Sequence, residues 1–335
     1  MPPHPGHIEQ AVSDSCGELT HLSPKHTIRY ALSVLLLMAV SIYFYREFQK
    51  NWTPIQAAHL ELHPVFLAAA FAAVVMTYLL TTLGWLVSVT SLSANRITFA
   101  KSVAIVNVSN LTKYIPGKVW SYALQMYWLE KEGVSKTLVL YVNVLNLGIS
   151  IVTALILGLC FLVLSPASFP VAVTLPMLLL LVLADLIFLR YGSALIDWLI
   201  FFVNRLLRLN LSYFQTSTRL LLRLHAICFA ADFVFGLGAY LLSRGIGFEV
   251  PLDKVLPVMS SMMISEVAGV LAVIAPGGLG VREGAMYLLL KGPSFEALAL
   301  MLPLGTRVLG MLVDLFLGGT GFLLFQRFKR TENVE

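Results

Sequence analysis

The stretch "VLAVIAPGGLGVREGAMYLLLK", residues 270–291, is apolar up to Ala275 and then breaks at Pro276, Gly277, Gly278 and Gly280. It passes through Arg282 and Glu283 before turning apolar again. Proline ends an incoming helix because it lacks an N–H and restricts the residue before it. Glycine lets a ligand approach the backbone closely. Unpaired backbone at membrane depth is tolerated only where it is buried in protein or lines a wet cavity. A helix built merely to cross a bilayer has no use for such an interruption.

That the setting is a bilayer follows from composition. The 335 residues are 58% hydrophobic and 12% charged, with a mean hydropathy of +0.82. A soluble domain carries about 25% charged residues, so the chain is an integral membrane protein. Its net charge of +5 is spread over loop ends and forms no patch, which excludes nucleic acid as a partner. Cys16, Cys160 and Cys228 have no CxxC spacing, and the histidines of the amino end form no ligand cluster. No metal or cofactor is expected. Residues 1–27, polar and rich in Pro, His and Ser, suggest a disordered tail without a cleavable signal.

About 20 apolar residues cross the hydrocarbon core as a helix. Clear spans are predicted at 28–45, 64–90, 137–164, 169–189, 224–242 and 295–325. Two further apolar segments are broken: 98–130 by "KYIPGK" (residues 113–118), and 255–291 by "PGGLG" (residues 276–280). The polar connection 190–223 holds five arginines against Asp197, and the carboxyl end carries Arg327, Lys329 and Arg330. Lys and Arg favour the cytoplasmic side, so both termini are expected there, in a multi-pass protein of the cell (inner) membrane.

These constraints make each broken segment a re-entrant hairpin. The expected fold is an all-α polytopic membrane protein of about six full spans plus two Pro-Gly-broken hairpins. It forms one domain over 28–326, with inverted units at about 64–164 and 224–325 and a basic tail at 327–335. Residues 255–275 are also long enough for a full crossing, so seven or eight spans are the alternative. Leucines alternating with arginines over 205–223 predict an amphipathic surface helix.

The two breaks share a pattern. "NVSNLTKYIPGKVWSYALQMY" (107–127) and "EVAGVLAVIAPGGLGVREGAMY" (266–287) both place a basic residue, Lys118 or Arg282, just beyond a Pro-Gly step. A helix restarting after such a step aims free N–H groups and the positive end of its dipole at the gap, where phosphate or carboxylate binds. The candidate headgroup-binding set is Lys113, Pro116, Gly117, Lys118, Pro276, Gly277, Gly278, Gly280, Arg282, Glu283 and Arg307. Ordinary surface turns with snorkelling Lys and Arg are the competing account.

Ionisable residues inside spans are costly and face a cavity or a partner. Asp232, Glu266 and Asp314 are candidate coupling carboxylates, and pairing of Arg282 with Glu283 or Glu266 is an equal alternative for the acids. Arg307 and Asp314, seven apart, share one helix face. Asp185 is expected at the interface. Gly318, Gly319 and Gly321 suit close helix packing. Tyr114, Trp120, Tyr122, Tyr127 and Trp128 suit an interfacial belt.

The run "APGGLGVREGAMYLLLKGPSFEALALMLPLGTRVLG" resembles the signature of flippase-like membrane proteins related to the transmembrane region of lysylphosphatidylglycerol synthase. The earlier "KYIPGKVWSYALQMYWLEKEGVS" is similar to that family's first Pro-Gly motif, except that Val119 and Trp120 stand where a smaller residue is usual. The resemblance spans roughly residues 28–325. It implies movement of an anionic membrane lipid, a phospholipid or a polyprenyl-phosphate-linked species, between leaflets. The synthases add a soluble aminoacyl-transferase domain. With the sequence ending at Glu335, no lipid aminoacylation is expected. The alternatives are an accessory subunit of an envelope-biosynthesis enzyme partner, or an integral-membrane transferase acting on a lipid phosphate. The transferase lacks support from any DxD, HxxxH or GxSxG-type motif.

Overall fold

The structure, a computed structural model, describes residues 46, 49, 61–93, 95–114, 120–165, 170–207, 213–272, 275, 278–292 and 296–332. The expected tail, residues 1–27, and the expected span 28–45 lie outside them. Among the described residues the chain is all helical, with no strand: α1 Pro64–Leu92, α2 Phe99–Asn110, α3 Trp120–Lys131, α4 Lys136–Val163 and α5 Val171–Leu207. Then follow α6 Thr218–Gly245, α7 Val255–Leu271, α8 Val281–Leu290 and α9 Glu296–Glu332.

Six stretches are long and apolar enough to cross a membrane. Five match expected spans; the sixth, Leu252–Leu271, is the incoming arm of the second broken segment. The remaining helices are short. At 1.5 Å per residue, α2 and α3 are each about 18 Å long and α8 about 15 Å, against a hydrocarbon core of about 30 Å. Each packs on its partner arm, α2 on α3 and α7 on α8, so both broken segments fold as hairpins.

Local chemistry sets the helix starts. Pro64 opens α1, where its missing N–H costs nothing. Thr98, Ser135 and Ser217 cap α2, α4 and α6, their hydroxyls accepting from the N–H groups of Lys101, Leu138 and Leu220. Lys101 also pairs with Glu132 at 2.5 Å, and the Asn95 amide donates to the Glu132 carbonyl at 2.6 Å. These two bonds close the mouth of the first hairpin.

The helices assemble by exchange between two units. Gly245 lies against Leu67, Gly238 against Val74, and Gly84 against Ile227, a register that runs α1 and α6 antiparallel. Ile264 of α7 lies against Gly158 of α4, and the Ser260 hydroxyl donates to the Gly158 carbonyl at 2.8 Å. In the other unit, Leu111 meets Gly318 of α9 and Ala104 meets Gly321. Each hairpin's incoming side therefore packs antiparallel on the last long helix of the opposite unit. Swapping α1–α4 with α6–α9 turns these packed pairs into one another, the pattern of an inverted repeat.

Two apolar clusters occupy opposite ends of this arrangement. One joins Trp85 and Val89 of α1 to Ile105, Leu129, Val139 and Val142. The other joins Ala70 and Val74 of α1 to Leu242, Met262, Met286 and Leu302. In a bilayer such contacts are held by van der Waals packing, which small residues allow to be close. Gly318 illustrates this: a Cβ there would lie 2.6 Å from the Leu111 side chain, whereas Gly319 has open space around it. Gly318 and Gly321 are contact residues and Gly319 is not.

Two local expectations are corrected. α5 continues as a helix to Leu207, and Leu220, Leu221 and Leu224 are buried in the first turns of α6. The Leu/Arg alternation over 205–223 thus belongs to the ends of two long helices, with no separate surface helix among the described residues. Leu220, Leu221 and Leu224 are buried in the bundle, whereas Arg219, Leu222 and Arg223 are exposed. Trp128 is half-buried and packs on Phe325 with ring centroids 5.0 Å apart, while Trp120 and Tyr127 are exposed.

Candidate functional site

The second break is built from its residues as follows. α7 ends at Leu271, with Ala272 leaving helical geometry, and two turn bonds follow, Ala275 N–H to the Ala272 carbonyl and Gly278 N–H to the Ala275 carbonyl. Gly278 has φ +68°, and a Cβ there would stand 2.8 Å from the Gly269 backbone. Only glycine fits that crossing of loop and helix. Gly280, also at positive φ, precedes the first turn of α8. Pro276 and Gly277 lie outside the described residues, as do Pro116, Gly117 and Lys118 of the first break. Lys113 stands in the short 3-10 turn Leu111–Tyr114 that follows α2.

The start of α8 already holds a carboxylate. Glu283 folds back so that its Oε2 accepts the Gly280 N–H at 2.6 Å, while its Oε1 lies 3.6 Å from Arg307 of α9. The Glu283 and Arg307 side chains are only 8% and 15% exposed. Beside it, Arg282 reaches across to α7 and pairs with Glu266 at 2.8 Å, its guanidinium 5.9 Å from the Phe235 ring centroid. Arg282 and Glu283 are adjacent, and successive helical residues project in different directions. Each finds its own counter-charge on a different helix.

The proposed coupling carboxylates divide. Asp232 of α6 is buried and takes a 2.6 Å hydrogen bond from the Thr153 hydroxyl of α4. A cavity of about 50 Å³ is lined by both Asp232 and Glu266, together with Ser150, Phe235 and Met263. Asp314 is buried on α9, one turn before Gly318, and does not line that cavity. The structure thus gathers Asp232, Glu266, Arg282, Glu283, Gly280 and Arg307 about the second hairpin and sets Asp314 apart.

Inward of the Lys101–Glu132 pair at its mouth, the bonds described between the arms of the first hairpin join neutral groups. Gln125 of α3 donates to the Ser109 hydroxyl at 3.1 Å and accepts from the Asn143 amide of α4 at 2.8 Å. The sequence signal for these amides is the set Asn107, Asn110, Gln125, Asn143 and Asn146 on α2, α3 and α4.

A second polar site also escaped sequence reasoning. Asp185 is buried in the protein: its Oδ1 lies 3.0 Å from Nε2 of His225, whose Nδ1 lies 2.8 Å from the Leu221 carbonyl. The pair borders an apolar crevice of about 530 Å³ between α4, α5 and α6, lined by residues such as Val144, Ile149, Leu181 and Phe188. Among the described residues no group of three His, Cys, Asp or Glu is placed to hold a metal ion.

Comparison with curated proteins and with solved structures gives no match. A family model described as "Lysylphosphatidylglycerol synthase TM region" matches residues 27–318, which include both hairpins and every charged residue of the second break. With its six membrane-capable helices, this integral, multi-pass membrane protein belongs to the family of the lysylphosphatidylglycerol synthase transmembrane region.

Proposed function

We propose that the protein moves an anionic lipid between leaflets, holding its phosphate-bearing headgroup at the second hairpin while the tails stay in the bilayer. The observation that carries this reading is the pair of arginines, Arg282 and Arg307, held largely buried beside an interrupted helix and each balanced by one carboxylate. Buried charges of this kind are expensive and are kept for a function. Family membership links the chain to lipid metabolism or transport. The exchange of hairpins between units supports rocking of one unit against the other as the way access alternates. The Lys/Arg bias supports an orientation with the ends of α3 and α5 and the start of α6 on the cytoplasmic side.

The test is leaflet exchange of labelled phospholipid and polyprenyl phosphate in liposomes, comparing native protein with Arg282→Ala and Arg282→Lys. A hydrogen bond to a charged group contributes about 1.5–3 kcal/mol, so Arg282→Ala should slow exchange roughly 10- to 100-fold while the protein still inserts. Arg282→Lys should recover part of the rate. Exchange unchanged in Arg282→Ala, or no exchange by native protein, removes the translocase reading. Stoichiometric co-purification of an envelope-biosynthesis enzyme would then favour the accessory role.

A further inference from the structure

Among the described residues, both arginines of the proposed headgroup site are already set against carboxylates. Arg282 is 16% exposed and is already paired with Glu266, which is 38% exposed. An incoming phosphate that takes Arg282 must displace that carboxylate. The Glu266 side chain lines the same cavity of about 50 Å³ as Asp232, so a carboxylate released from Arg282 faces a second carboxylate there.

We propose that headgroup binding is coupled to uptake of one proton by the Asp232–Glu266 pair, so that an anion and a proton enter the site together. This rests on the translocase reading and deepens it. Before binding, the Arg282 cation offsets Glu266. After binding, Arg282 offsets the phosphate, and Glu266 has lost its counter-charge beside a second carboxylate. Two carboxylates sharing one small cavity cannot both stay ionised cheaply, and one proton resolves the conflict. The proton comes from water, and the site's net charge is the same before and after. Transport is then electroneutral for a singly charged headgroup.

Among the described residues, the cavity lining supplies no substitute cation. Of the elements packed on α6, α1 carries no charged residue, and α4 presents the Thr153 hydroxyl, which already bonds Asp232. On α6 itself, the Cys228 thiol lies one turn from Asp232 and His225 is committed to Asp185 and the Leu221 carbonyl. α5 brings Asp185 to His225, and α7 brings Glu266. α9 carries Arg307, set against Glu283, and Asp314, which lies outside the cavity lining.

The experiment is calorimetric titration of the purified full chain in detergent with two probes, dihexanoyl phosphatidylglycerol and farnesyl phosphate. Each titration is run in two buffers of different ionisation enthalpy, with the second ionisation of farnesyl phosphate subtracted. The buffer dependence of the heat gives protons taken up per lipid bound, and the native count should be about one. Glu266→Gln should bind with no uptake, and Asp232→Asn should show less than half the native count. Binding by native protein with no proton uptake overturns the coupling and leaves the translocase reading standing. Failure of both probes to bind overturns the translocase reading, and the coupling with it. The native count decides the matter without any variant, so a variant that fails to fold does not blunt the test.

Discussion

The two hairpins share a topology and differ in chemistry. Each has a short arm, packs on the last long helix of the opposite unit, and carries a Pro-Gly step in the sequence between its arms. The first is lined by amides and a hydroxyl, Gln125, Asn143 and Ser109, bonded to one another. The second is lined by two ion pairs, Arg282 with Glu266 and Arg307 with Glu283. Fully satisfied neutral networks position helices. Partnered charges at membrane depth cost more and can exchange partners. The contrast indicates that the repeat supplies a frame twice and a charged site once, at least over the described residues.

The largest effect should come from Glu283→Ala. It removes both the acceptor of the Gly280 N–H and the counter-charge of Arg307, and breaking a buried pair costs about 3–5 kcal/mol. Thermal unfolding in detergent should show a drop greater than for any change in the first hairpin; an equal drop for Gln125→Leu would erase the contrast.

Next comes Gly278→Ala, which adds a Cβ 2.8 Å from the Gly269 backbone at φ +68°. The left-handed conformation alone costs about 1–2 kcal/mol for an L-residue. Lipid exchange should fall together with stability, and a fully active variant would show that the crossing of loop and α7 is not needed. Gln125→Leu should cost about 1–3 kcal/mol, because it leaves the Asn143 amide short of an acceptor. Its exchange rate, normalised to folded protein, should stay within a few-fold of native if the first hairpin is a frame. A loss as deep as that of Arg282→Ala would instead make the neutral hairpin part of the site.

The smallest effect separates neighbours on α9. Gly318→Ala presses on Leu111 and should cost about 1–3 kcal/mol as overpacking. Gly319→Ala meets nothing within 4 Å and should be neutral or gain up to about 1 kcal/mol of helix propensity. Melting curves of the two variants should diverge.

Apolar run length made most of the long helices legible, because a bilayer demands about 20 apolar residues and little else. The hairpins were legible from the Pro-Gly steps together with the Lys/Arg bias, although 255–275 is long enough for a full crossing. Partner choice was not. Arg282 with Glu266 and Arg282 with Glu283 were equal alternatives in sequence, since nothing local says which helix will lie beside α8. Asp185 with His225 was hidden for the same reason, forty residues apart and joined only when α5 packs on α6. The boundary at Leu189 failed because α5 keeps its helix past the membrane-length stretch, where arginines can extend a helix as well as end a span.

The exchange of hairpins has a consequence for biosynthesis. Chain synthesis runs from the amino end, so when α7 emerges, its seat on α4, at Gly158, is already in the membrane. For α2 the order is reversed: its seat at Gly318 and Gly321 is nearly the last part translated. The first hairpin must wait in lipid or with a chaperone until α9 arrives, and this long-range contact is the slow one to close. Assembly therefore finishes at its beginning, and a chain truncated before α9 would leave its earliest hairpin unseated.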